Sequence, residues 1–135
     1  MKLATLLMIA NWLPQPIADQ TCLAATLYLE ARDQPVLGQV AIAEVALRRR
    51  AASEFAPNLC GVLTEPKQFA LSIVSPRYQL RNLGAWNRAW RIAEICNLCD
   101  QMGIDRPVVN QPYYHALYRV AEVEQLPACA HFGLG

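Results

Sequence analysis

Glu30 is the residue best placed to do chemistry. It closes an apolar stretch from Leu23 to Leu29 in which Leu23, Ala24, Leu27 and Tyr28 fall at helical spacing. A carboxyl group at the C-terminal end of such a helix is pushed toward its neutral form by loss of water and by the negative end of the helix dipole. A neutral glutamic acid at about pH 6–7 can hand a proton to a glycosidic oxygen. The competing reading is an exposed Glu30 paired with Arg32 or Arg48, and position alone does not choose between them. Asp33, three residues on, is close enough on one helix face to interact with Glu30. It serves either as a second carboxylate or as the cap of the next helix at Pro35, and capping is the expectation.

The elements that must position these groups follow from periodicity and punctuation. Pro14 and Pro16 break the chain after an apolar N-terminal run. A helix is expected from Ile17 to Ala31, capped by Asp19 or Thr21. A second runs from Pro35 to Ala52. Val36, Val40, Ala43 and Leu47, broadened by Ile42, Val45 and Ala46, make it apolar so far round that it is expected near the domain centre. Residues 62–71 read as a short hairpin or β-like excursion, and Pro76 to Gly84 as loop. A third helix spans Ala85 to Met102, with Trp86, Trp90, Ala93 and Cys96 or Asn97 on one stripe and Gly103 as its stop. Tyr113-Tyr114-His115-Ala116-Leu117-Tyr118 reads as a strand, on which Tyr113 and His115 share a face and Tyr114 points away. The class is α+β and mostly α.

Composition narrows the range of functions. The chain has 135 residues, 54% hydrophobic and 17% charged, which suits one folded domain and excludes a disordered chain. A net charge of +1 gives no sign of a nucleic-acid partner. The one basic block, Arg48-Arg49-Arg50, reads first as a solvated helix end favoured by the helix dipole, and second as a contact to an anionic polymer. Residues 1–16 are weakly signal-like, but no clear cleavage site follows and the run is too short to span a membrane. They are read as a docking helix, with residues 17–135 as the main domain. Five cysteines make an odd set, so buried free thiols are the default. A pair such as Cys22–Cys60 or Cys99–Cys129 becomes the better reading if the protein leaves the cytosol. Cys96, Cys99, Cys129 and His131 are of types that zinc accepts. However, Cys96 and Cys99 fall in a helical pattern and the spacing lacks a usual zinc form. No metal and no cofactor is expected.

Several blocks resemble a known family. Cys22-Leu23-Ala24-Ala25-Thr26-Leu27-Tyr28-Leu29-Glu30-Ala31-Arg32-Asp33-Gln34-Pro35 is similar to the opening motif of the SleB-type cell-wall hydrolases, or spore cortex-lytic enzymes, roughly C-L-A-x-x-I-Y-x-E-A-R-G-E-P. Gly38-Gln39-Val40-Ala41-Ile42-Ala43-Glu44-Val45-Ala46-Leu47-Arg48-Arg49 continues it as the family's G-Q-x-A-V-A-x-V-x-x-N-R helix does. Leu59-Cys60-Gly61-Val62-Leu63, Gln68-Phe69-Ala70, Tyr113-Tyr114-His115 and His131-Phe132 resemble later family segments in the same order. The first block is fairly specific; the rest carry weight as an ordered set.

The resemblance implies a lysozyme-like domain with a small β-hairpin or sheet, close to lytic transglycosylases. It implies peptidoglycan glycan strands as the partner and cleavage of the MurNAc–GlcNAc β-1,4 bond at the bacterial cell wall, in the periplasm. Glu30 is the implied acid and then base. In the transglycosylase variant the muramoyl 6-hydroxyl attacks, so one carboxyl group suffices. Gln34, Gln68, Phe69, Tyr113, Tyr114 and His115 are the implied substrate-binding residues, and His131 reads as structural. Two departures stand out: Leu29 where the family often has His, and Asp33-Gln34 for Gly-Glu, so Gln34 keeps a hydrogen-bonding group without the charge. The small unit with its apolar start fits a phage-borne enzyme, an endolysin or a virion-associated protein whose residues 1–16 meet virion or tail proteins. The alternative is a catalytically degenerate structural or glycan-binding virion component.

Overall fold

The computed structural model describes residues 1–54, 58–105, 127 and 130. The chain divides into two compact units, Met1–Ile104 and Asp105–Gly135. Among its described residues the first contains six helices: α1 Leu3–Ala10, α2 Gln15–Ala31, α3 Val36–Ala52, α4 Leu59–Thr64, α5 Ala70–Ile73 and α6 Leu83–Met102. Among the described residues there is no strand beyond a single antiparallel bridge between Lys2 and Gln79. No described helix is long and apolar enough to cross a membrane.

The hairpin expected at residues 62–71 is absent. That stretch lies in α4, a turn and α5. Leu59, Val62 and Leu63 are the buried residues of α4, a spacing of three and four that belongs to a helix rather than an alternating strand. Asn58 starts the helix by accepting a hydrogen bond from Gly61 N at 2.7 Å. Lys67, at φ 64°, reverses the chain before α5. The expected strand at residues 113–118 lies outside the described residues.

The centre of the first unit is α2, not α3 as expected. Every residue from Thr21 to Tyr28 is buried, and α2 touches each of the other five helices. On α3 only Gln39, Ala43, Ala46 and Leu47 are buried, whereas Leu37 and Val45 are exposed. The apolar breadth of α3 was therefore a poor guide, because its second face meets solvent.

The main partner of α2 is α6. Ala85, Ala89 and Ala93, one turn apart on α6, are all buried, and small residues let helix axes approach closely. Asn97 Nδ2 donates to Pro16 O at 3.2 Å, and Asn82 N donates to Tyr28 Oη at 3.2 Å. These contacts tie the start of α2 to the end of α6 and the reverse, so the two helices run antiparallel. Helix α6 stops where the sequence said it would, with Gly103 left-handed at φ 64° and donating to Asp100 O.

The start of α2 differs from expectation. It begins at Gln15 with Pro16 inside its first turn, and no side chain caps it. Asp19 is buried and takes hydrogen bonds from Gln15 Nε2 at 2.8 Å and from Cys60 N at 3.2 Å. It thereby satisfies one of the orphan N–H groups at the start of α4. Thr21 bonds back to Ile17 O at 2.7 Å instead of capping.

Beside Asp19, Cys22 and Cys60 form a disulfide between α2 and α4, one of the two pairings the sequence left open. Cys96 and Cys99 are buried free thiols, while Cys129 and His131 lie outside the described residues. Helix α1 lies against α2 through buried Leu3, Leu6 and Ala10. It is also held by Leu3 N to Tyr78 O at 2.9 Å and Ala4 N to Pro76 O at 2.9 Å.

Candidate functional site

Glu30 sits in the last turn of α2, where the helix leaves the core: Tyr28 is 1% exposed, Leu29 is half-buried and Glu30 is exposed. The burial that the apolar flank suggested is therefore absent. The flank describes the neighbours along one helix, whereas water access at a helix end depends on what the rest of the chain puts there. Neither arginine alternative holds either. Arg32 faces Asp33 (Nε to Oδ2 3.5 Å) and Arg48 faces Glu44 (Nε to Oε2 3.6 Å).

The partner Glu30 does have comes from 40 residues away. Its Oε1 accepts a hydrogen bond from Ala70 N at 2.7 Å. Ala70 is the first residue of α5, so its N–H has no partner within the helix, and Phe69 at the cap position supplies no side-chain bond. The carboxylate takes that role. Its other oxygen, Oε2, makes no hydrogen bond among the described residues.

This contact brings Gln68-Phe69-Ala70 against the end of α2. Phe69 is buried in the core and Gln68 is exposed. Both are held by Arg49, whose guanidinium lies 5.0 Å from the centre of the Phe69 ring and donates through Nη1 to Gln68 Oε1. Arg49 was not singled out as a site residue. Two signals pointed to it: its place at the closing Arg of the family-like helix motif, and membership of the Arg48-Arg49-Arg50 block, read as a solvated helix end. In the fold only Arg48 keeps that character, since Arg50 pairs with Asp100 of α6.

The acidic and amide neighbours of Glu30 are placed differently from expectation. Asp33 neither caps α3 nor bonds Glu30. Its side chain is 86% exposed and pairs with Arg32, while α3 begins at Val36 with Pro35 at the cap position and no side-chain cap. Gln34 is exposed, and its backbone oxygen accepts from the buried Gln39 Nε2 at 3.1 Å. Tyr113, Tyr114 and His115 lie outside the described residues. Of the predicted set, the structure brings together Glu30, Gln68 and Phe69, and it places Gln34 just past the end of α2.

On another side of the α2 end, Arg32 Nη1 donates to Tyr78 Oη at 3.0 Å, and its guanidinium carbon lies 5.9 Å from the centre of the Tyr28 ring. Tyr78, then Tyr28 and Asp33, hold the Arg32 guanidinium above its ordinary pKa. No metal-binding group of three or more His, Cys, Asp or Glu occurs among the described residues.

Comparison with known proteins places the chain in a family. It belongs to the cell wall hydrolases: the family model matches residues 33–126, more than half of the chain. That match begins at Asp33, so it does not itself include Glu30. The chain is 41% identical over 51 residues to the spore cortex-lytic enzyme of Bacillus cereus, covering 38% of this chain and 20% of that protein. It is 43% identical over 51 residues to the spore cortex-lytic enzyme of Halalkalibacterium halodurans, covering 38% and 16%. It is also 48% identical over 46 residues to the human aldo-keto reductase family 7 member A3, covering 34% and 14%. The chain thus spans at most a fifth of the length of these curated relatives. No solved structure matches it.

Proposed function

We propose that this chain cleaves the glycan strands of peptidoglycan, at the MurNAc–GlcNAc β-1,4 bond, within a lysozyme-like domain that acts at the bacterial cell wall. The observation that carries the reading is the contact between Glu30 and the Gln68-Phe69-Ala70 segment. It places an acid at the mouth of a helix end and beside the segment that resembles the family's substrate-contacting motif. The family assignment and the two spore cortex-lytic relatives support the same substrate. The reductase likeness covers a stretch of similar length, whereas the family model matched by most of the chain is that of the cell wall hydrolases.

In the proposed reaction Ala70 N–H orients the carboxyl group through Oε1, and Oε2 faces the scissile oxygen. A strand lying over the α2 end strips water from the acid, supplying the desolvation that the free protein lacks. Glu30 then protonates the leaving oxygen and takes a proton from the attacking group. That group is the muramoyl 6-hydroxyl in the transglycosylase variant or water in the muramidase variant. Gln68, Gln34, Tyr113, Tyr114 and His115 are the groups proposed to hold the sugars. Phe69, buried in the core, lies against Arg49, which binds Gln68. Carriage in a phage virion, with residues 1–16 against a tail protein, is the delivery route we attach to this reading, and stoichiometric recovery of the chain in purified virions tests it.

Release of soluble fragments from purified sacculi measures the activity. Glu30→Gln should lower the rate by about 10²–10⁴-fold, the contribution typical of a general acid. Gln still offers an oxygen to Ala70 N, so the variant should remain folded. The exposure of Glu30 favours one other reading, a glycan-binding domain without catalysis. Sacculi that bind the native chain yet stay whole would establish that alternative.

A further inference from the structure

The loop from Arg77 to Asn82 lies against the C-terminal end of α2 and borders an open surface cavity of about 500 Å³. Three arginines line it, Arg32, Arg77 and Arg81, together with Tyr28, Tyr78 and Asn82. The charge is poorly compensated. Arg32 shares the exposed Asp33, and neither Arg77 nor Arg81 has a carboxylate within ion-pair distance among the described residues. Arg81 Nε is steadied by Gln79 Oε1 at 3.1 Å, and Arg32 by the Tyr78 hydroxyl. Guanidinium groups held in this way present planar pairs of N–H donors, the arrangement that suits a carboxylate.

The position of the cavity limits what the ligand can be. Residues two apart on a helix point to nearly opposite sides, and a helix with its side chains is about 10–12 Å across. Arg32 and Glu30 therefore open onto different flanks of the α2 end, on the order of 10 Å apart. A sugar ring reacting at Glu30 does not reach the arginines. A peptide branching from that sugar does, because extended chain covers about 3.3–3.6 Å per residue.

We propose that Arg32, Arg77 and Arg81 form an anion subsite for a free carboxylate of the peptide stem carried by the strand. Resting on the peptidoglycan reading above, it makes the protein selective for strands that still bear acidic stems. Glu30 acts on the sugar while the arginine cavity reads the branch, so bare glycan is bound weakly.

Binding tests this apart from cleavage. The Glu30→Gln chain is titrated against sacculi freed of phosphate polymers by hydrofluoric acid, and against the same sacculi with their carboxylates amidated. The expected result is a Kd at least tenfold weaker for the amidated sacculi. Adding Arg77→Gln and Arg81→Gln, both at exposed positions, should weaken binding to acidic sacculi to the same level and abolish the effect of amidation. Equal binding to acidic and amidated sacculi overturns the proposal, as does an amidation effect that survives in the triple variant. Binding that disappears with the hydrofluoric acid step assigns the arginines to a phosphodiester and likewise overturns it. A native chain that binds carboxylate-dependently but releases no fragments upholds the subsite and removes the hydrolase reading instead.

Discussion

Within α2 the residues from Thr21 to Tyr28 are all buried, while Glu30 in its last turn and the residues from Arg32 to Pro35 beyond its end are exposed. The helix and its exit thus form two regions with different duties. The buried region is fixed by its own side chains, by the Cys22–Cys60 disulfide and by α6. The exposed region has little packing of its own: Ala70 N–H holds Glu30 from outside, and Arg49 holds the Gln68-Phe69 segment beside it. Mutations in the first region should act on stability and those in the second on activity.

The largest stability effect expected is loss of the disulfide. It closes a separation of 38 residues. The chain-entropy treatment of a loop that long gives about 4 kcal/mol. Cys22→Ala with Cys60→Ala, compared with the native chain by urea unfolding, should approach that value. Leu27→Ala comes next. Leu27 is 0% exposed at the centre of α2, and the cavity should cost about 2–5 kcal/mol while the rate per folded molecule stays unchanged. A Leu27→Ala protein that unfolds at the native urea concentration would contradict the placement of the core.

Arg49→Ala sharpens the comparison because Arg49 joins the two regions. The lost contact to Phe69 should lower stability by about 0.5–1 kcal/mol, while lysis should fall by more than that loss of folded protein explains. Arg49→Lys restores the charge but not the planar fork, and should recover stability better than activity. The smallest effect belongs to Asp33→Asn. Its 86% exposed side chain and simple pairing with Arg32 give a change within about 0.5 kcal/mol and an unaltered lysis rate. Inactive Asp33→Asn protein would make Asp33 a second catalytic carboxylate after all.

Much of the frame was legible in the sequence because it rests on local rules. Gly103 ends α6 as a left-handed cap, Pro35 marks the start of α3, and the stripe through Ala93 and Cys96 faces the core. The failures share a cause. The α4 helix has six residues, too few for periodicity to stand out, so Asn58 was not read as its cap and Val62 and Leu63 passed as the start of a hairpin. The burial of Glu30 was inferred from its own helix, although the atoms around a helix end come from elsewhere. The same limit hid Arg49: Glu30 and Gln68-Phe69 were each singled out, but the links that join them run across 40 and 19 residues of chain.

The central claim is that the Glu30 carboxyl group transfers the proton when a glycan strand is cut. Mass spectrometry of the fragments released from purified sacculi by the native chain and by Glu30→Gln, at equal folded concentration, tests it most directly. The native chain should yield disaccharide-peptides ending in anhydro or reducing muramoyl groups, and the variant almost none. Equal yields of those fragments from both proteins, or freed peptides with the glycan left whole, would contradict it.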